Sequence, residues 1–239
     1  MKPLVFGHRG ASGYRPENTI EAFELAFAQG SDAIELDMVP TIDGHLIIRH
    51  ENVLSHTTNI ADIPELAAHK HSKFMLWREV EDWFSEELTL EQIRLTRAIE
   101  RIPDQRPGSA KFDGQFQIPT IDDLLAADFV NGKTLILELK YPNYFLDRGI
   151  DTPALLAASL AKHNLKERGI TVVVESFDFV GLQRAKALMP EAGKFVFLTE
   201  HWRIPKGGPS ELEQYLTNIA ENFDGLSIDR RSIRDIWPS

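Results

Sequence analysis

The chain has 239 residues, 43% of them apolar, and a formal net charge of −10. That length suits one large domain or two small ones, and the apolar share is ordinary for a globular protein. The charge argues against general nucleic-acid binding, the lack of cysteine excludes disulfides and thiolate chemistry, and no apolar run reaches the ~18 residues of a membrane span.

In chain order, Pro3-Leu4-Val5-Phe6 reads as a buried strand closed by Gly7-His8-Arg9-Gly10. A polar turn leads to Asn18-Thr19-Ile20-Glu21, where Asn18 is the expected N-cap and Glu21, three residues on, suits a capping box. Ile20, Phe23 and Phe27 then share a helical face, and Gly30 ends the run. Residues 32–39 form the next expected strand. Thr41-Ile42-Asp43-Gly44 carries the Asp-Gly hairpin signal, and residues 46–50 return from it.

Residues 51–119 break the rhythm. They are rich in charge, aromatics and proline, and no long strand is expected there. Thr89-Leu90-Glu91-Gln92 caps a short helix, and the acidic run over residues 79–87 reads as a solvated face above Trp83 and Phe84. The expectation is a large insertion covering the sheet's functional edge, within one domain spanning 1–239; apolar positions look too sparse for a separate core.

Strands are expected again at 134–140, 171–176, 194–199 and 225–228. Between them, Thr152-Pro153 opens a helix with a cap and an N1 proline. Residues 179–189 carry Leu182, Ala185 and Leu188 on one stripe, and residues 210–223 carry Leu212, Tyr215, Leu216 and Ile219. This alternation implies a parallel sheet with helices outside it. Six main strands are countable against the eight of a closed barrel, so the sheet is open or the chain is a fragment. With the first strand beginning almost at Met1, no signal peptide is expected. The location expected is then cytoplasmic, or periplasmic or secreted if a leader was removed.

Polar groups gather at the carboxyl ends of these strands, the edge where parallel α/β folds do chemistry. Residues two apart in a strand share a face, so Glu35 pairs with Asp37 and Glu138 with Lys140, each pair opposite an apolar side. Clustered buried carboxylates repel one another and are costly to desolvate. A divalent cation compensates most simply, and three carboxylates without cysteine favour magnesium or calcium over zinc. The competing reading is a carboxylate pair salt-bridged to Arg9 or Lys140, and for Glu138 and Lys140 an internal ion pair is as good an account as a site. His8 and His50 flank the cluster and suit proton transfer near neutrality. Arg9 and Lys140 supply the local positive charge that a phosphate needs. Asn18 and Thr19 read as caps rather than ligands.

These residues together resemble the glycerophosphodiester phosphodiesterase family. The matching pieces are His8-Arg9-Gly10-Ala11-Ser12-Gly13, Pro16-Glu17-Asn18-Thr19, Glu35-x-Asp37, Thr41-x-Asp43-Gly44 and His50-Glu51, followed by Thr57-Thr58, Glu138-x-Lys140 and Ser176-Phe177. Arg106-Pro107-Gly108, Asp113-Gly114-x-Phe116-x-Ile118-Pro119-Thr120 and Lys140-Tyr141-Pro142-Asn143-Tyr144-Phe145 resemble the larger, periplasmic-type subgroup with its long insertion. The resemblance implies a (β/α)₈ barrel with the site at its carboxyl rim. Glu35, Asp37 and Glu138 would ligate calcium or magnesium, His8 and His50 would be the acid/base pair, and Arg9 and Lys140 would hold phosphate. The implied substrate is a small glycerophosphodiester, split into an alcohol and sn-glycerol 3-phosphate. Two features depart from the family pattern. Glu175-Ser176-Phe177 stands where Gln-Ser-Phe is common, adding a fourth carboxylate if Glu175 points inward. The two units that usually follow the Gly225-Leu226-Ser227-Ile228 strand are missing, which implies a C-terminally truncated chain and an incomplete barrel. A non-catalytic phosphodiester- or metal-binding barrel, or a lysophospholipase D with an apolar rim groove around Trp77, Trp83, Phe84 and Trp202, are the alternatives. Oligomeric state is not legible.

Overall fold

The computed structural model describes residues 3–75 and 78–233. Its strands are β1 (Phe6–His8), β2 (Ala33–Pro40), β3 (Leu46–Ile48), β4 (His71–Met75), β5 (Arg78–Asp82), β6 (Thr134–Leu139), β7 (Thr171–Ser176), β8 (Gly193–Thr199) and β9 (Gly225–Ile228). Its helices are α1 (Ile20–Ala28), α2 (Leu90–Arg94), α3 (Pro107–Ala110), α4 (Ile121–Ala126), α5 (Pro142–Leu146), α6 (Thr152–Ala161), α7 (Phe179–Leu188) and α8 (Pro209–Asn222).

The main sheet runs β1-β2-β6-β7-β8-β9, all parallel, with β3 antiparallel against the end of β2. Six parallel strands follow one another in chain order, with a helix between most neighbours. That is the wall of a (β/α)₈ barrel, present here as six of its strands among the described residues. Ile34, Leu36 and Met38 of β2, Leu135, Leu137 and Leu139 of β6, and Val172 and Val174 of β7 pack against Phe23 of α1, Leu124 of α4, Leu156 of α6 and Leu182 of α7. Each such side chain contributes roughly 1.5–3 kcal/mol on burial. The alternate positions, Glu35, Asp37, Glu138 and Glu175, are thereby turned to the opposite, inner face.

The first strand departs from expectation. Leu4, Val5 and Phe6 are more than half exposed, and only three residues pair, all with β2. β1 lies at an end of the sheet, so it has one neighbour where the buried strands have two. Thr19, not Asn18, is the α1 N-cap: its side chain accepts from Ala22 N. Asp151 likewise caps α6, placing Thr152 and Pro153 inside its first turn. The capping box predicted at Thr89 and Gln92 is present at α2.

Segment 51–119 also differs in detail. It contains the β4–β5 hairpin, which the charged sequence hides because both strands show mostly polar side chains to solvent. Its acidic run is not uniformly solvated. Asp82 and Glu86 are buried, Asp82 accepting from Ser55 and Glu86 from Asn52, Lys73 and Tyr144. The segment shares a core with the barrel rather than making its own. Leu54, Ile60, Leu66, Trp83, Leu88 and Ile93 cluster with Val39 of β2, Ile47 of β3 and Phe145 of α5. Trp83 and Phe84 are therefore buried, Trp202 is exposed, and Trp77 lies outside the described residues. Among the described residues no helix is long and apolar enough to cross a membrane.

Candidate active site

The loop after β1 is built around two left-handed residues, Arg9 at φ 59° and Asn18 at φ 60°, and Gly10 at φ 80°. A side chain on Gly10 would place its Cβ 2.7 Å from the Ala22 backbone carbon, so the turn presses onto α1 as only glycine permits. This close turn aims Arg9 back at the strand ends. Its backbone N–H donates to Glu35 Oε2 at 3.0 Å, its Nη1 donates to Glu17 at 2.9 Å, and its Nε lies 3.3 Å from Asp37 Oδ2. Asn18 is wholly buried and donates from Nδ2 to Asp37 Oδ2 at 2.8 Å. Asparagine tolerates the left-handed conformation, the one signal in the sequence that could have separated it from an ordinary cap.

Strand register brings the carboxylates level. Glu35 stands opposite His8 of β1, Asp37 opposite Glu138 of β6, and Glu138 opposite Glu175 of β7. One oxygen from each of Glu35, Glu138 and Glu175 lies within 4.8 Å of the other two, close enough to share one cation. Asp37 is not a member of that triplet. Its carboxylate faces Lys140 Nζ at 3.1 Å, Arg9 and Asn18. Lys140 Nζ also donates to Glu138 Oε1 at 2.8 Å. Both sequence readings therefore coexist, with ion pairs to Arg9 and Lys140 beside a cluster of carboxylates. Glu175 points inward and adds the fourth carboxylate.

The electrostatics follow from burial and like charge. Burial pushes Glu35 well above the usual carboxylate range, and Asp37, Glu175 and Glu138 add to the push. Burial also lifts Glu138 to about 8; Lys140 opposes the rise and Asp37 supports it. Glu175 rises to about 7, through burial and the negative charge of Asp37. Burial acts on Asp37 too, but Lys140, His50, Arg9 and the Asn18 hydrogen bond outweigh it and hold that carboxyl below the ordinary range. Glutamates whose ionisation is so opposed are what a divalent cation would relieve, and an all-oxygen donor set fits a hard ion.

Beside the carboxylates opens a cleft of about 660 Å³. Its walls include His50, Glu138, Lys140, Phe177, Phe179 and Arg203. His50 follows β3, and its Nδ1 is 2.5 Å from Glu51 Oε1, which fixes the ring. His8, at the end of β1, has a largely exposed side chain with Nε2 3.8 Å from Glu35 Oε2. The two imidazoles thus flank the carboxylates, His8 exposed beside Glu35 and His50 in the cleft. Segment 51–119 adds Arg101 and Arg106, 3.5 and 3.8 Å from Glu17. Neither has a role legible in the sequence, since no strand periodicity places them, and Arg106 enters only through the Arg106-Pro107-Gly108 match.

Residues 8–211 match the glycerophosphoryl diester phosphodiesterase family. The chain belongs to this family. A glycerophosphodiester phosphodiesterase of Treponema pallidum is 26% identical over 92% of this chain and 70% of its own length. One of Haemophilus influenzae is 28% identical over 80% of this chain but 54% of its own length, so the chain spans little more than half of that relative. Among solved structures, a phosphodiesterase of Oleispira antarctica in complex with the product sn-glycerol-3-phosphate is 25% identical. It superposes with a TM-score of 0.68 over 98% of this chain and 80% of its own. The family is one of phosphoric diester hydrolases, and its barrel is the architecture described above. Members of this family generally depend on a divalent metal, and the triplet of Glu35, Glu138 and Glu175 is a group of oxygens that could hold one.

Proposed function

We propose that this chain hydrolyses small glycerophosphodiesters to an alcohol and sn-glycerol 3-phosphate, as one barrel domain whose segment 51–119 is an insertion against the rim. Glu35, Asp37 and Glu138 form the acidic set for calcium or magnesium. His8 and His50 are the acid/base pair, and Arg9 and Lys140 hold the phosphate. The observation that carries this reading is the meeting of His50, Glu138 and Lys140 in one cleft, with Arg9 beside Asp37 and His8 beside Glu35 of the same acidic cluster. A relative solved with sn-glycerol-3-phosphate supports the substrate class.

A phosphodiester is anionic and resists a nucleophile. The bound cation would supply Lewis-acid polarisation at a phosphoryl oxygen. Arg9 and Lys140 neutralise charge developing on the other oxygens, in a partly buried site where such charges interact strongly. One imidazole takes the proton of the attacking oxygen, either water or the glycerol 2-hydroxyl, whose cyclic phosphate water then opens to sn-glycerol 3-phosphate. The other gives a proton to the leaving alkoxide. Glu51 keeps the His50 ring oriented through Nδ1 and leaves Nε2 to move the proton.

The test is release of glycerol 3-phosphate from glycerophosphocholine and glycerophosphoethanolamine, with and without chelator. Release that stops on chelation and returns with calcium or magnesium is expected. No release from any glycerophosphodiester at saturating metal would refute the reading.

A further inference from the structure

Each carboxylate at the strand ends but one has a partner. Glu17 has Arg9, Asp37 has Lys140 and Asn18, Glu35 accepts from the Arg9 backbone, and Glu138 accepts from Lys140. Among the described residues, Glu175 accepts no hydrogen bond and forms no ion pair. Yet it sits on β7 directly beside Glu138, with one oxygen inside the same 4.8 Å triplet as Glu35 and Glu138. A mostly buried carboxylate with no direct ion-pair partner is costly to keep ionised, and the Lys140 charge that acts on it from beyond salt-bridge distance is already engaged by Asp37 and Glu138.

We infer that Glu175 is a further direct ligand of the cation held between β2, β6 and β7, and that it biases the site toward calcium. The inference deepens the metal-binding reading above and rests on it. The triplet geometry supports it: Glu35, Glu138 and Glu175 each bring one oxygen within 4.8 Å of the other two. Coordination chemistry supplies the selectivity. Calcium accepts six to eight oxygens in a flexible shell, whereas magnesium demands a near-ideal octahedron and keeps several waters. A carboxylate from a third strand adds protein oxygens that calcium can use more fully.

The experiment is calorimetric titration of the full chain, stripped of metal, with calcium and separately with magnesium. Glu175→Gln keeps shape and removes the charge; it is expected to weaken calcium binding at least tenfold and magnesium binding less. Glu175→Asp, which keeps the charge on a shorter arm, is expected to fall between. The metal-free Glu175→Gln chain is expected to melt at or above the temperature of the parent, because a repulsion has been removed. Calcium affinity of Glu175→Gln within twofold of the parent, while Glu138→Gln loses binding, would overturn the role of Glu175 and leave the metal site standing. Unchanged affinity in both would overturn the site itself. A metal-free Glu175→Gln chain that melts well below the parent, with Glu175→Asp binding calcium as the parent does, would make Glu175 a structural group and also overturn the inference.

Discussion

Asn18 and Asp37 are both fully buried, and the Asn18 amide donates to Asp37 Oδ2 at 2.8 Å while Asn18 itself holds a left-handed backbone. The first loop is thereby tied to the centre of the acidic cluster. Asn18→Ala removes the donor and strains the backbone, and the expected cost is roughly 1–3 kcal/mol of unfolding free energy. Asn18→Gly relieves the strain but not the lost bond, so it should fall between. Urea unfolding of the three chains measures both parts; equal midpoints would show that the bond carries no stability.

Gly10→Ala is expected to destabilise the same loop. Its Cβ would meet backbone atoms of Ala22 at 2.7 and 2.8 Å, which cannot move aside as a side chain can. Thermal melting should show a clear drop, and a melt equal to the parent would mean that α1 shifts freely.

His8→Ala and His50→Ala should each lower turnover by about 10²–10⁴-fold, the usual worth of a positioned acid or base. Calcium affinity by calorimetry should stay near that of the parent, since neither imidazole belongs to the carboxylate triplet. Full turnover in both variants would remove the acid/base assignment.

Lys140 lies 3.1 Å from Asp37 and 2.8 Å from Glu138 and is itself buried. Lys140→Met would leave buried Glu138 without its cation and Asp37 with Arg9 and Asn18 alone, a change that costs about 3–5 kcal/mol when one partner of a buried pair is removed. Denaturant unfolding of the metal-free chain measures it. Calcium should restore part of the loss, and a variant as stable as the parent without metal would contradict the ion pairs.

The raised carboxyls also set a pH dependence. With Glu138 near 8, Glu175 near 7 and Glu35 raised, the metal-free native chain holds protons that the unfolded chain has already released. Stability from these groups is fully present below about pH 4.3, the unfolded carboxyl value, and is lost as pH rises through the folded values. Asp37, held low, acts in the opposite sense but only in more acidic solution, where its stabilisation is lost as pH falls. Chelated protein should therefore melt at lower temperature at pH 8.5 than at pH 6. Metal binding should release protons and tighten over the same interval. Titrations in buffers of different ionisation enthalpy count those protons, and a count of zero at pH 7 would refute the raised values.

Much of this was legible in the chain. The two-residue period of a strand is local, so Glu35 with Asp37, and Glu138 with Lys140, could be placed on common faces from the sequence. The alternation of strands and helices likewise announced the barrel wall, and Thr89 with Gln92 announced the cap of α2. The sequence by itself thus determined which residue types reach the carboxyl edge, because side-chain direction along one element follows from the backbone of that element alone. Tertiary structure decided who meets whom there. The register of β6 against β7 sets Glu175 beside Glu138, and the left-handed turn at Arg9 and Asn18 turns Asp37 toward cations and an amide. The exposure of Phe6 and the burial of Glu86 depend in the same way on neighbours far along the chain. Distances between strands are fixed by long-range pairing, and no local pattern encodes them.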